Sequence, residues 1–334
     1  MRAVVVREPR ALALEKVPDP TPTEDQIVLR VRACGICGSD LHAHQMGILP
    51  PGAVMGHEFA GEVVETRHGF RAGERVCALP ALSCGRCERC LSGLGVFCLH
   101  GMKGLGLGQA PGAYAEYVAV SPHHAVRLPA GVDDRSGALV EPLAVGLHAL
   151  DVARLRPGED VLVVGGGPIG LAALIWARHL GARTVVVSEK SAGRRALAER
   201  LGATDTVDPA DGSLLRALRR HAPDGPAVVV EAVGAPGLIG QCVGSVGFRG
   251  RVVVAGVCMQ PDTLVPFAAI AKEASLHFVL AYAKRDFQYA VDMLEQGRIA
   301  PAPIVTDAIG LEGVADAFQT LERPTTQAKV MIEP

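Results

Sequence analysis

The sequence predicts an α/β chain of two domains, a mainly β region followed by a doubly wound parallel sheet, and three observations carry that expectation. The chain has 334 residues, beyond the roughly 250–300 at which a single core stops growing. Up to about Leu147 its apolar residues fall in short β-branched runs separated by Gly and Pro. From about Val161, apolar strands of the type VLVV alternate with helical stretches, the pattern of βαβ units that share a parallel sheet.

Taken in order, MRAVVVREPRALALEK reads as a short opening strand followed by a turn, and QIVLRVRA, GEVVET and YAEYVAV as further strands of the irregular β region. VLVVGGGPIGLAALIWARHLGA reads as strand, turn and helix. TVVVSEKSAGRRALAERLGA repeats that unit, and AVVVEAVG and RVVVAGV extend the sheet. DFQYAVDMLEQGRI and LEGVADAFQTL have helical patterns, and AKVMIEP is a terminal strand that either finishes the sheet domain or returns to the first one. The boundaries fall near Asp151 to Pro157 and near Ala283.

Charged residues make up 20% of the chain and nearly cancel, leaving a formal net charge of −2. No basic field is available for nucleic acid or an anionic membrane, so neither is expected as a partner. The N-terminus lacks the apolar core of an export signal, and the uncharged run Val161 to Ala177, broken by glycines and a proline, is shorter than the roughly 20 residues of a spanning helix. Nine cysteines in a chain of this kind, expected to be cytoplasmic, point to metal ligation or catalysis rather than a disulfide framework.

VVGGGPIG fits G-x-G-x-x-G at Gly165, Gly167 and Gly170, with Pro168 and Ile169 between the last two, directly after a strand and at the start of a helix. The first glycine permits a tight turn, the second lets the backbone approach a pyrophosphate, and the third lets helix and strand pack closely. About twenty residues further on, at the end of the next strand, Glu189 is placed to accept hydrogen bonds from ribose hydroxyls and to repel a 2′-phosphate, which favours NAD over NADP. Lys190, Arg194 and Arg195 follow closely and would suit a phosphate, and Arg194 is counted among the cofactor residues. Trp176, on the same helix, reads as core.

CGRCERCLSGLGVFC sets Cys84, Cys87, Cys90 and Cys98 at C-x2-C-x2-C-x7-C, a spacing suited to a closed tetrahedral zinc site that folds a loop rather than performing chemistry. An iron–sulfur cluster and redox disulfides are the alternatives. Cys77, Cys242 and Cys258 sit in apolar surroundings and read as core residues.

A third group is spread along the chain. RACGICGSDLHAH carries Cys34, Cys37, Ser39, Asp40, His42 and His44; MGHEFAGEVVE carries His57 and Glu58; LVEPLAVGLHAL carries Glu141, just before a helix start at Pro142, and His148. With C-G-I-C-G-S-D-L-H, G-H-E-x-x-G-x-V-x-E, the four-cysteine loop and the nucleotide turn together, the chain resembles the zinc-dependent medium-chain alcohol dehydrogenases over essentially its full length.

That resemblance implies a GroES-like catalytic domain formed by residues 1–150 and 284–334, a Rossmann domain at 151–283, two zinc ions per chain and NAD. It assigns the catalytic zinc to Cys37, His57 and Glu141, with Glu58 alternating with water at the metal, and the structural zinc to Cys84, Cys87, Cys90 and Cys98. Asp40 would fix the tautomer of His57. Ser39 and His42 would relay the proton released when a Lewis-acidic zinc lowers the pKa of an alcohol and hydride passes to the nicotinamide. Lys329 matches a position where the family places a cation near the pyrophosphate, with an ordinary solvated lysine as the alternative. Cys34 reads as a buried small residue, His44 as a solvated loop histidine, and His148 as a packed or cofactor-side residue.

EPLAVGLHA is similar to the polyol and diol branch, and MKGLGLGQAPGAYAEYV with the C-terminal segment looks most like the butanediol enzymes. Ala281 and Tyr282 stand where sorbitol dehydrogenases carry Arg-Tyr, whereas the four-cysteine loop is often lacking in butanediol enzymes. The expected reaction is the interconversion of a secondary alcohol or vicinal diol, 2,3-butanediol-like, and its ketone. A sorbitol-, threonine- or cyclitol-type dehydrogenase and a non-catalytic zinc and nucleotide-binding relative are the alternatives. The family's habit implies a homodimer or homotetramer.

Overall fold

The computed structural model describes residues 1–323 and 326–334. The opening strand Arg2–Glu8 is half of a hairpin with Ala11–Lys16, a second strand the sequence pattern did not reveal. The chain reverses at Pro9 and Arg10, where Arg10 takes a left-handed φ of 66°.

Two sheets organise the rest. One runs in the order Val305–Ile309, Lys329–Ile332, Ile27–Gly35, Glu58–Val63, Arg75–Ala78, Ala125–Arg127, with Tyr117–Val120 pairing along Ile27–Gly35. The terminal strand therefore returns to the first domain, with Met331 opposite Gly35 and Ile332 opposite Cys34. The other is a parallel six-stranded sheet in the order Asp205–Val207, Thr184–Ser188, Asp160–Val164, Val228–Glu231, Arg251–Val254, Ser275–Phe278. Its order reverses between Asp160–Val164 and Val228–Glu231. The crevice beyond the carboxyl ends of two such strands is where open α/β sheets bind ligands.

The two sheets meet in a shared core rather than across a linker. The helix Val140–Ala153, mostly apolar around its circumference, straddles the boundary expected at Asp151 and packs on Pro168–His179. Trp176 is fully buried there and donates its Nε1–H to the Leu143 carbonyl at 2.8 Å. The helix Lys284–Glu295 packs on Val140–Ala153 as well.

Three residues stand differently from the sequence reading. His44 is not solvated: it is buried on the helix Gly38–Met46, its Nδ1 2.7 Å from Glu322 Oε1 and its ring edge-on to Phe318. Cys258 is half-buried in the loop after Arg251–Val254, its thiol 3.5 Å from the Gln260 carbonyl, because the chain has left the sheet before reaching it. Lys329 lies in the core of the first domain and is taken up below. Cys34, Cys77 and Cys242 are buried.

Candidate active site

The strand pairing assembles the first group of ligands. Gly35 faces Glu58 across the antiparallel ladder, which sets Cys37, just past the end of one strand, beside His57, just before the start of the other. Cys37 is also the N-cap of the helix Gly38–Met46, and Asp40 Oδ2 accepts its backbone N–H at 3.1 Å. The sulfur thus sits at the N-terminal end of the helix.

The ligand atoms of Cys37, His57 and Glu58 all lie within 4.8 Å of one another. Ser39 Oγ is 3.2 Å from Cys37 Sγ and 3.3 Å from His57 Nε2. On the far side of the ring, His57 Nδ1 is 3.3 Å from Asp40 Oδ1, leaving Nε2 turned towards Ser39 and Cys37. Asp40 Oδ2 also accepts the Tyr114 hydroxyl at 2.7 Å. Burial opposes a charge on Asp40, but His57, Tyr114 and the Cys37 N–H outweigh it and hold the carboxyl below the usual range. Tyr114 gave no signal in the sequence beyond its place in GAYAEYV.

Glu58 does not face this group alone. Lys329 Nζ is 2.7 and 2.5 Å from its two carboxylate oxygens and 2.8 Å from the Ile36 carbonyl. With its three donors engaged and no exposed surface, Lys329 has nothing left for a pyrophosphate, which corrects both its assignment to the cofactor site and the solvated alternative.

Glu141, in the first turn of Val140–Ala153, is buried nearby but outside the 4.8 Å group, and its Oε1 accepts the Tyr282 hydroxyl at 2.6 Å. Burial raises its carboxyl to about 7, with the Glu58 charge adding to the rise and His57 opposing it. Cys37, Glu58 and Glu141 lie around the buried amine of Lys329. A sulfur, an imidazole nitrogen and carboxylate oxygens brought together in a buried site are a donor set that a zinc ion fits. His42, on the same helix as Ser39, is exposed. His148 stands apart, with Nδ1 3.6 Å from Asp286.

The second group is the loop of Cys84, Cys87, Cys90 and Cys98, whose sulfurs are likewise within 4.8 Å of one another. Separations of 3.8 Å for Cys84 and Cys90, 3.4 Å for Cys87 and Cys90 and 3.9 Å for Cys87 and Cys98 lie near the roughly 3.8 Å expected between sulfurs of a tetrahedral zinc site. The four thiols fit such an ion.

The glycine turn lies at the carboxyl end of Asp160–Val164. Gly165 has a φ of 103°, and a Cβ on Gly170 would fall 1.8 Å from the Gly165 carbonyl oxygen, so both positions require glycine. Gly167 is the N-cap and Pro168 the first residue of the helix Pro168–His179, followed by half-buried Ile169. A cleft of about 550 Å³ opens here, lined among others by Gly165, Gly167, Glu189 and Arg194. The Glu189 carboxylate accepts the Gly166 N–H at 2.7 Å and the Ser191 N–H at 2.7 Å. Arg195 Nη1 donates to the Glu189 and Lys190 carbonyls and to Asp208, and Arg194 Nε to the Gln327 carbonyl. The cleft fits a dinucleotide.

Residues 23–130 match the alcohol dehydrogenase GroES-like domain family, and residues 168–296 the zinc-binding dehydrogenase family. The chain is 30% identical over its full length to sorbitol dehydrogenase of Bacillus subtilis (strain 168), of which it covers 97%. It is 39% identical, over 76% of its length, to scyllo-inosose 3-dehydrogenase of Thermotoga maritima, covering 71% of that protein. A solved zinc-binding dehydrogenase from Sinorhizobium meliloti 1021 bound to NADP is 32% identical and superposes with a TM-score of 0.90, covering 100% of this chain and 99% of that one. With a GroES-like domain, a Rossmann sheet and the ligand groups in one molecule, the chain is a dehydrogenase acting on CH–OH groups and belongs to the zinc-dependent medium-chain alcohol dehydrogenase family, in its polyol and butanediol dehydrogenase-like branch.

Proposed function

We propose that the protein interconverts a secondary alcohol, carried on a vicinal diol or small polyol, and the corresponding ketone, using NAD and two zinc ions per chain. The observation that carries this reading is the 4.8 Å group of Cys37, His57 and Glu58 with the Ser39 hydroxyl against it. When bound, zinc supplies a Lewis acid that makes an alcohol hydroxyl acidic, and nicotinamide supplies the hydride acceptor. Cys37, His57 and Glu141 would hold the catalytic ion, with Glu58 kept in reserve by Lys329. Asp40 fixes the tautomer of His57 so that Nε2 is free to ligate. Ser39 Oγ takes the proton of the substrate hydroxyl as its own hydroxyl proton passes onward, and exposed His42, one turn further along the helix, passes protons to water. Cys84, Cys87, Cys90 and Cys98 would hold the second ion, leaving no position for substrate.

NAD is preferred in this reading because Glu189 places a carboxylate at the end of the second strand of the sheet, where a 2′-phosphate would be repelled, and Arg195 is already engaged by Asp208. The NADP in the Sinorhizobium meliloti structure makes the opposite preference a necessary arm of any assay. The names of the Bacillus subtilis and Thermotoga maritima relatives support hydroxyl-rich substrates, a class to which a 2,3-butanediol-like diol also belongs. A panel of 2,3-butanediol, sorbitol, inositols and threonine with either nicotinamide, read at the absorbance of the reduced cofactor, tests the assignment.

The partner is a second copy of this chain. Ser275–Phe278 is an edge strand, and Val265, Phe267, Ile270, Phe278 and Leu280 are exposed beside it. An edge of this kind is closed by pairing about a two-fold axis. No helix among the described residues is long and apolar enough to cross a membrane.

A further inference from the structure

Beside the four-cysteine loop lies a polar pair that the proposed reaction does not use. His124, 5% exposed, sits just before the strand Ala125–Arg127, and its Nε2 is 2.7 Å from Ser83 Oγ. Ser83 Oγ is in turn 3.4 Å from Cys90 Sγ. The other ring nitrogen, Nδ1, is buried with no hydrogen-bond partner. A buried N–H without an acceptor is costlier than a lone pair without a donor, so the proton belongs on Nε2. From there it is donated to Ser83 Oγ, which leaves the serine hydroxyl hydrogen to point at the sulfur. A thiol at Cys90 could donate to Ser83, but the thiolate that a zinc ion requires can only accept.

The pair is built into the loop. Gly95, three residues before Cys98, has no left-handed backbone to explain it. A Cβ there would fall 2.3 Å from His124 Cε1 and 3.0 Å from Ser83 Oγ, so the glycine makes room for the ring and hydroxyl. Burial, together with Lys284 and His123 nearby, pushes the His124 imidazole down to about 4, and it stays neutral.

We propose that Ser83 and His124 form a hydrogen-bond chain that donates to the Cys90 thiolate and slows loss of zinc from the four-cysteine loop. They are positioning residues: they steady a ligand without touching the metal. The proposal rests on that loop holding zinc. A hydrogen bond to a ligand sulfur offsets its charge and opposes the protonation by which a thiolate leaves the metal, and losing such a partner costs about 10–100-fold in metal affinity.

The test is the rate at which the purified holoprotein releases zinc to a chelating dye, with zinc content measured first. Ser83→Ala and His124→Phe should each release one of two zinc ions about 10–100-fold faster while the other is unchanged. His124→Gln, whose amide nitrogen stands where Nε2 stood, should restore slow release. If His124→Phe fails to fold, Ser83→Ala carries the test. Release from Ser83→Ala at the unsubstituted rate, or from His124→Gln as fast as from His124→Phe, would overturn the chain. An unsubstituted protein with a single zinc would overturn the zinc reading of the loop, and the proposal with it, before any variant is compared.

Discussion

Lys329 Nζ lies within 2.7 Å of both carboxylate oxygens of Glu58, and neither side chain has any exposed surface. Burial alone would discharge the amine, but the Glu58 and Cys37 charges outweigh it and raise its pKa. The pair holds Glu58 at the edge of the ligand group through a residue 271 positions away in sequence.

Removing one partner leaves the other charge buried and unpaired. Lys329→Met is expected to cost about 3–5 kcal/mol of stability in urea unfolding. Glu58→Gln in the same chain should return much of that loss, and strict additivity of the two substitutions would show that the pair is not coupled.

Asp40 acts on the ligands through His57. Asp40→Asn, which keeps the shape and removes the charge, is expected to lower zinc affinity at the catalytic group, or turnover, by about 10–100-fold. Zinc content at the cysteine loop serves as the internal control and should not change.

Part of this arrangement was legible in the sequence because it rests on spacing within short segments, the glycine turn with Glu189 and the C-x2-C-x2-C-x7-C loop, whereas Cys37, Asp40 and Ser39 were singled out only by the family resemblance. What was not legible depends on the return of the last strand. Lys329 was read as a cofactor or surface residue because nothing near AKVMIEP reveals that Met331 faces Gly35, which carries the lysine under Glu58. His44 looked solvated because its partners, Glu322 and Phe318, are likewise distant in sequence. Tyr114, and the partner of Tyr282, were missed for the same reason. Each hydroxyl completes a carboxylate that lies elsewhere in the chain.

Glu189→Ala removes the proposed acceptor of the ribose hydroxyls and the repulsion of a 2′-phosphate. Hydrogen bonds to a charged group contribute about 1.5–3 kcal/mol, so the KM for NAD should rise about 10–100-fold while that for NADP falls. Unchanged preference in this variant would remove Glu189 from the cofactor site.

The depressed imidazole of His124 links stability to pH. Its folded value of about 4 lies below the 6.5 of a free side chain, so between those limits the unfolded chain binds a proton that the folded chain refuses. Stability should be unaffected above pH about 6.5 and fall as pH drops towards 4, by up to about 3 kcal/mol from this group. His124→Gln, which does not titrate, should show a shallower decline over the same interval in parallel denaturant titrations.

The exposed apolar residues beside the edge strand predict association. Phe278→Glu should convert the assembly to a monomer in sedimentation velocity. A monomeric unsubstituted protein at micromolar concentration would contradict the proposed interface.

The most direct measurement is steady-state reduction of NAD by a panel of vicinal diols and polyols, before and after zinc is removed with a chelator and then restored. The account predicts turnover on at least one secondary alcohol of this class, its loss with the metal, its return with zinc, and a preference for NAD over NADP. Turnover that survives complete removal of zinc, or a zinc-loaded protein that binds NAD and oxidises none of these alcohols, would contradict it.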